Sequence, residues 1–259
     1  MVDPRTTAMK LTAQLRATFG EQLRTVVVFG SVPRGEAIPG VSDLNTLVLL
    51  DTVGTSSLAR AAPVLQDWIR QGNTPPHIYS TEEWSGMRDT FAIEISDMQD
   101  ARDVLWGTDP VTADPVAPGD LRHQTESEAR ETLLQLRVRL MLGYKSPEEI
   151  GALLLSGFPS FSAYLRATLR LNGENPGRET RPMLERAAAI IGTDPKPMLT
   201  CWTARQTFRN IVIPLKDPLV EQYLSFVRDL ITHLDQLPEA APPSPSGGPL
   251  SRHSNSTTR

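Results

Sequence analysis

Apolar positions follow two different periods in the first half of the chain. Residues 5–19 repeat apolar side chains at helical spacing, which predicts a helix. Thr25–Phe29 and Leu44–Leu50 are short runs rich in valine, leucine and threonine, a pattern typical of buried strands. Leu58–Ile69 returns to helical spacing and predicts a second helix. Strands that alternate with helices in this way favour a small α/β domain.

The segment that follows predicts a short strand, a capped helix and another strand. His77–Tyr79 is the short strand, and Ser80–Glu83 has the spacing of a capping box, so we expect a helix from there to about Asp89. Phe91–Ser96 alternates apolar and polar side chains, which predicts a strand with Glu94 on its polar side. The first domain therefore has a mixed α/β (α+β) character with helices flanking a sheet.

The pattern changes after Gly107. Residues 109–119 are rich in proline, aspartate and alanine and predict a linker. Every periodic segment of residues 120–237 has helical spacing, which predicts an all-α helical-bundle domain. Residues 238–259 lack periodicity and are rich in proline, serine and glycine, so we expect a disordered tail. The first domain then comprises residues 1–108.

Composition limits the function classes. The chain has 259 residues, a net charge of −4 and no apolar stretch approaching the roughly 20 residues of a membrane-spanning helix. Cys201 is its single cysteine, which excludes an intrachain disulfide framework and a cysteine-based zinc site. Proteins that grip long nucleic acid usually carry a basic stripe instead. We expect a cytoplasmic protein whose partners include neither long nucleic acid nor a membrane.

Candidate chemistry concentrates between the first two predicted strands. One strand ends in Gly30-Ser31, where the missing side chain lets backbone N–H groups approach a phosphate and the hydroxyl adds a donor. A loop containing Arg34 follows, and the next strand opens with Asp43 and Asn45. Because side chains alternate along a strand, these two oxygen-bearing residues point to the same face. Two oxygen ligands on one face suit a Mg²⁺ ion that bridges substrate phosphates.

This arrangement resembles the nucleotidyltransferase superfamily, the polymerase-beta-like fold that includes aminoglycoside nucleotidyltransferases and minimal nucleotidyltransferases. The run Gly30–Glu36 is similar to the Gly-Ser-x-x-Arg-Gly-Glu run of small bacterial members, and Ser42-Asp43 matches their Ser-Asp. The resemblance covers residues 5–107. It implies a nucleotidyltransferase-fold mixed sheet and a third carboxylate from a later strand, for which Glu94 is the candidate and Asp97 the alternative.

Asn45 departs from the family pattern, because active members carry Asp-x-Asp or Asp-x-Glu where this chain has Asp-x-Asn. An amide oxygen can coordinate Mg²⁺ but contributes no formal charge, and phosphoryl transfer depends on metals that stabilise developing charge. Nucleotide binding is therefore compatible with Asn45, whereas turnover is the open question. Asn45 as a buried polar residue without a role and Arg34 as a solvated loop arginine remain alternatives from the sequence.

The resemblance implies a protein that transfers a nucleoside monophosphate from an NTP to a hydroxyl of a small-molecule or protein acceptor. Its cofactor would be Mg²⁺ or Mn²⁺. The alternative is a catalytically degenerate protein of the same fold that binds nucleotide or, like an antitoxin, a protein partner. The implied site residues are catalytic Asp43 and Glu94, nucleotide-binding Gly30, Ser31 and Arg34, and metal-binding Asp43, Asn45 and Glu94.

Overall fold

Strands belong to the first half of the chain and long paired helices to the second. A computed structural model describes residues 3–38, 42–112 and 115–238. The first half contains α1 (Pro4–Phe19), β1 (Leu23–Phe29), α2 (Ser31–Arg34), β2 (Asn45–Leu50), α3 (Thr55–Arg70), β3 (His77–Ser80), α4 (Thr81–Ser85), α5 (Ala92–Asp100) and β4 (Arg102–Gly107). The second half contains α6 (Pro118–Leu142), α7 (Pro147–Leu171), α8 (Thr180–Ile191), α9 (Lys196–Gln206) and α10 (Pro218–Gln236). No helix in these ranges is long and apolar enough to cross a membrane.

A single mixed sheet forms the centre of the first half, with four strands among the described residues in the order β3-β2-β1-β4. β1 is antiparallel to both neighbours, whereas β2 and β3 are parallel. Val26 and Val28 pack in a core with α1 and α3, while Val27 and Phe29 pack against α4 and α5 on the other face. Burial on both faces explains why β1 and β2 are apolar runs rather than alternating strands. The predicted fold class is confirmed.

The predicted strand Phe91–Ser96 is wrong, because these residues lead into and form the start of helix α5. Ile93 joins the core of the helical half, whereas Ile95 joins the core beneath the sheet. Residues two apart on a helix point to nearly opposite sides. A helix buried on two opposite sides therefore shows the same apolar alternation as a half-buried strand. The six-residue pattern could not distinguish the two.

Two other boundaries differ from the sequence predictions. The capping box at Ser80 forms, with its hydroxyl and the Glu83 carboxylate exchanging hydrogen bonds with backbone N–H groups, but α4 ends at Ser85 instead of Asp89. The edge strand β4 was not predicted, because its three apolar residues are consecutive and none of them is fully buried. β4 ends at Gly107, whose φ of 76° and backbone contact with Arg24 leave no room for a side chain.

The helical half packs around its own apolar core. Ser146 caps α7 by accepting a hydrogen bond from the Glu149 N–H, and Asp217 caps α10 in the same way through the Leu219 N–H. The core also takes in Ala92 and Ile93 from α5, so the two halves share packed side chains. The predicted tail lies outside the described residues from position 239 onward.

Candidate functional site

A cleft of about 310 Å³ opens where the two halves meet. Its volume falls at the lower end of the range typical of small-molecule sites. The cleft has two walls, which are built from different elements. The sheet wall consists of Gly30, Ser31, Arg34, Asp43, Asn45 and His77. The helical wall consists of Glu128, Phe158, Tyr164, Thr180, Trp202 and Arg205. Glu94 and Asp97 on α5 line the cleft between them.

The chain turns sharply between β1 and α2 at Gly30. This residue has a φ of 85°, and a Cβ placed on it would lie 2.9 Å from Nδ2 of Asn45. A side chain at this position would therefore meet both backbone strain and the Asn45 amide. The turn closes when the Glu36 N–H donates to the Ser31 carbonyl at 3.0 Å. The expected approach of a phosphate to the Gly30 backbone stays a prediction, and the group that lies close to Gly30 in the structure is the Asn45 amide.

Asp43 and Asn45 point to the same side of the sheet, as their spacing predicts, and both line the cleft. Leu44 between them is buried in the opposite core, against α1 and α3. β2 begins at Asn45, which pairs with Phe29, so Asp43 precedes the strand. The Asp43 carboxylate is exposed and accepts a hydrogen bond from the Thr74 hydroxyl at 3.1 Å. Both of these oxygen-bearing side chains therefore line the cleft, and neither is enclosed in the core.

Glu94 lies in the first turn of α5, not on a strand, and faces the helical half. Its carboxylate accepts a hydrogen bond from Gln124 Nε2 at 3.2 Å, and the same amide donates to Glu128 at 2.7 Å. Burial raises the pKa of Glu94, and the neighbouring Glu128 and Asp97 carboxylates raise it further, against the hydrogen bonds that lower it. Glu94 is therefore a more basic carboxylate than an exposed glutamate.

Arg34 and Asp97 both line the cleft and form an ion pair, with 3.6 Å between Nη1 and Oδ2. Asp97 also accepts a hydrogen bond from Arg170 at 2.8 Å. The Arg34 side chain is only 11% exposed, and its Nε and Nη1 atoms are buried without a hydrogen-bond partner. The alternative of a solvated loop arginine is wrong. Asp97 is neutralised by two arginines, which argues against it as a third metal carboxylate.

Solved structures share the fold of this chain. The chain is similar to the spectinomycin adenyltransferase AAD(9) from Enterococcus faecialis, solved with ATP and spectinomycin, with a TM-score of 0.57. The match covers 90% of this chain and 99% of that chain. This chain has the nucleotidyltransferase fold. The sequence identity is 13%, so the likeness establishes the fold alone.

A second solved structure matches only part of this chain. A toxin–antitoxin structure with AMP-PNP matches 52% of this chain and 94% of its own at 16% identity, but the TM-score of 0.28 carries no argument. No family model and no curated protein sequence matches the chain.

Arg205 on α9 lines the cleft, and two arginines on α7 form ion pairs with cleft-lining carboxylates, Arg166 with Glu36 and Arg170 with Asp97. These three arginines were not identified from the sequence. Burial lowers the pKa of Arg166 to about 10, and repulsion from Arg34 contributes. Burial also lowers the pKa of Arg205, and attraction to the Asp43 carboxylate partly offsets this shift. Arg166 and Arg170 stand in the run Tyr164–Leu171, otherwise mostly apolar. Charged residues inside an apolar helix are almost always paired, and that signal could have identified them.

His77 is a further residue of the sheet wall that the motif did not include. It opens β3 and is paired across the sheet with Leu47. Its ring lies between those of Phe29 and Phe91, at centroid distances of 5.9 and 6.2 Å. Burial lowers the pKa of His77, so the ring is neutral at physiological pH.

The oxygen donors at the strand ends can be tested against the needs of a hard cation. Within the described ranges, no three His, Cys, Asp or Glu side chains lie close enough together to hold a metal ion. Asp43 offers a carboxylate and Asn45 an amide oxygen, both on the cleft side. Mg²⁺ is commonly held by one or two protein oxygens together with substrate phosphates. The donor set therefore fits an ion that is shared with a phosphorylated ligand.

Proposed function

We propose that this protein binds a nucleoside triphosphate in the cleft and transfers its nucleoside monophosphate to a hydroxyl of a small-molecule or protein acceptor. The observation that supports this most is the meeting of Gly30, Asp43 and Arg34 in one cleft between the two halves. A tight glycine turn, an exposed carboxylate and a buried cation are among the groups that hold phosphates and metal ions in phosphoryl-transfer sites. The nucleotidyltransferase fold is compatible with the same chemistry.

The sheet wall holds the phosphates in this proposal. The backbone of Gly30 and the hydroxyl of Ser31 approach them, and Arg34 supplies charge. Two Arg34 nitrogens are buried without a partner, and each such donor costs about 1–3 kcal/mol until it is satisfied. Phosphate oxygens would satisfy them and remove this cost.

Asp43 and Asn45 would hold one Mg²⁺ or Mn²⁺ ion through their oxygens. Such an ion, when bound, neutralises phosphate charge and favours loss of pyrophosphate. Asn45 presents no negative charge, so the protein contributes a single carboxylate at this point. The ion would accordingly be held more weakly than by two carboxylates, and it would depend more on the nucleotide's own oxygens.

Glu94 is proposed as the general base. Its carboxylate accepts the proton of the acceptor hydroxyl, whose oxygen bonds to the α-phosphorus while the bond to the bridging oxygen breaks and pyrophosphate leaves. The raised pKa favours this role, because a base is most effective when its pKa lies near the working pH. Gln124 holds the carboxylate by a hydrogen bond. The helical wall then forms the acceptor side of the cleft.

The second candidate is a nucleotide-binding protein of the same fold that no longer turns over. Asn45 favours it, since the amide removes one formal charge from the strand end. Asp97 cannot compensate, because it is engaged by Arg34 and Arg170. In this case a bound nucleotide, or a protein partner as in an antitoxin-like module, would be the functional state.

One experiment separates these functions. Purified protein is incubated with each NTP, Mg²⁺ or Mn²⁺ and a panel of hydroxyl acceptors, and pyrophosphate release is followed. Asp43→Ala and Asn45→Asp are assayed beside wild type, with Asp67→Ala on the exposed side of α3 as the matched control. Wild-type release that Asp43→Ala abolishes and Asp67→Ala preserves supports the transferase. Release by Asn45→Asp alone supports the degenerate protein, and absence of both binding and release contradicts both.

A further inference from the structure

Asp97 divides its two oxygens between arginines from different halves of the molecule. Oδ1 accepts a hydrogen bond from Arg170 on α7 at 2.8 Å, and Oδ2 lies 3.6 Å from Nη1 of Arg34. The first contact is a charge-assisted hydrogen bond, whereas the second is longer than any hydrogen bond. Asp97 is therefore fixed by α7 and attracts Arg34 without occupying its donors.

Arg34 needs such an attraction because a second buried arginine, Arg166, lies near it. Burial lowers the pKa of Arg166, whose side chain is 2% exposed, and repulsion from the Arg34 charge lowers it further. Glu36 lies 3.6 Å from Arg166 and is held by the N–H and hydroxyl of Thr180, so it compensates that arginine. Asp97 is the carboxylate paired with Arg34 in the described residues. Without it, repulsion would favour a conformation in which Arg34 leaves the cleft.

We propose that Asp97 and Arg170 are positioning residues, which hold the Arg34 guanidinium toward the nucleotide phosphates with its donors free. The proposal rests on the proposed nucleotide binding in the cleft. Neither residue needs to touch the nucleotide in this arrangement. The affinity of the sheet wall for phosphate is thereby set by a residue of the helical half. The helical half thus acts on the nucleotide side of the cleft as well as on the acceptor side.

Asp100 provides a matched control. It also accepts a hydrogen bond from Arg170, but it has no ion pair with Arg34 among the described contacts. Asp97→Asn and Asp100→Asn each remove one negative charge facing Arg170 from the same helix. Both changes should lower the melting temperature, whereas only Asp97→Asn should affect Arg34. A purely structural role would make the two variants alike in nucleotide affinity.

The test measures ATP, GTP, CTP and UTP dissociation constants by calorimetry for wild type, the two aspartate variants, Arg34→Ala and the double variant Arg34→Ala/Asp97→Asn. We expect Asp97→Asn to weaken binding of the preferred NTP about tenfold, within the usual coupling of contacting residues. Asp100→Asn should stay within about twofold of wild type. In the Arg34→Ala background, Asp97→Asn should change affinity less than about twofold while still lowering the melting temperature.

Two results would overturn the positioning role. One is equal weakening by Asp97→Asn and Asp100→Asn, and the other is an Asp97→Asn effect that persists undiminished without Arg34. Failure of wild type to bind any NTP contradicts the proposed function instead. In that case the Nε–H signal of Arg34 in a ¹⁵N-arginine spectrum, assigned by its loss in Arg34→Ala, still decides the point. A signal unmoved by Asp97→Asn would refute the positioning role without any nucleotide.

Discussion

The sheet wall comes mainly from one short stretch of chain, whereas the helical wall gathers residues from helices that are distant in sequence. Gly30 follows the end of β1, and Asn45 begins the neighbouring strand β2. Thr180 and Arg205 come from separate helices, and Arg166 behind them is nearly fully buried. The sheet wall is therefore built by local geometry of the chain, whereas the helical wall depends on paired charges in a low-dielectric environment. Removal of one partner of such a pair strongly destabilises the fold, because the remaining buried charge is left uncompensated.

The largest expected effect tests the buried charge of the helical half. Arg166→Met removes a guanidinium that donates to the Gly177 carbonyl at 2.8 Å and lies beside Glu36. Loss of one partner leaves Glu36 poorly compensated, so we expect about 3–5 kcal/mol of destabilisation. Urea unfolding monitored by circular dichroism measures it. Arg228→Met, at an exposed ion pair with Glu221, should change stability by less than about 1 kcal/mol. Similar losses of stability in Arg166→Met and Arg228→Met would contradict the contrast between buried and exposed ion pairs.

A smaller effect is expected in the sheet wall, from Gly30→Ala. The methyl group would meet a φ of 85° and the Asn45 amide, and the backbone conformation alone costs about 1–2 kcal/mol. Gly35→Ala is the matched control, since Gly35 has a φ of 78° with nothing within 4 Å of a Cβ. Both variants should lose similar stability by urea unfolding, but only Gly30→Ala should lose NTP affinity in calorimetry. Equal affinity would show that crowding against Asn45 is unimportant.

Helix α5 carries two carboxylates with different partners. Glu94 accepts a hydrogen bond from the Gln124 amide, whereas Asp97 is paired with two arginines. Burial raises the pKa of Glu94, so ionisation of this group opposes folding as pH rises above the ordinary glutamate range. Glu94→Gln cannot ionise and should gain stability relative to wild type between pH 4 and about pH 7. Paired urea titrations at both ends of this range give the difference. A stability difference that does not change with pH, or a loss of stability of Glu94→Gln relative to wild type at the higher pH, would contradict the raised pKa of Glu94.

The smallest expected effect concerns Cys201 in the helical core, which is fully buried. Burial raises the pKa of its thiol to about 12, so the native protein should be inert to a thiol reagent at pH 8. Reaction should appear only as urea unfolds the chain, with the same midpoint as circular dichroism. A reaction midpoint well below the spectroscopic one would show that the helical half opens separately from the sheet.

The two walls also differ in how far the sequence predicted them. Gly30, Asp43 and Asn45 are close in sequence, and all three line the cleft, although Asp43 precedes β2 instead of lying on it. Glu94 was placed in the cleft but on the wrong kind of element, because α5 is buried on two opposite sides. The roles of these residues as metal, nucleotide or catalytic ligands stay predictions. The two domain boundaries and the tail likewise stay predictions.

The pairing of Arg34, Asp97 and Arg170 could not be predicted, because nothing local indicates which carboxylate an arginine meets across 73 residues. The edge strand β4 was missed for a different reason, which is its exposure. Val104 is 39% exposed, and such an edge strand lacks the apolar signal that β1 and β2 carry. Hydrophobic spacing thus predicts what packs in a core, but it does not predict which ionic partners meet where two cores join.

Helix α5 has a practical consequence for anyone who wishes to divide this protein. Ala92 and Ile93 complete the helical core, while Ile95 and Met98 complete the core under the sheet. A fragment cut after the sheet would expose the first pair to solvent, and its complement would carry an unfilled hollow. The halves are therefore poor candidates for exchange with those of other proteins as independent modules. A chimaera that joins foreign halves would need its α5 redesigned on both sides at once.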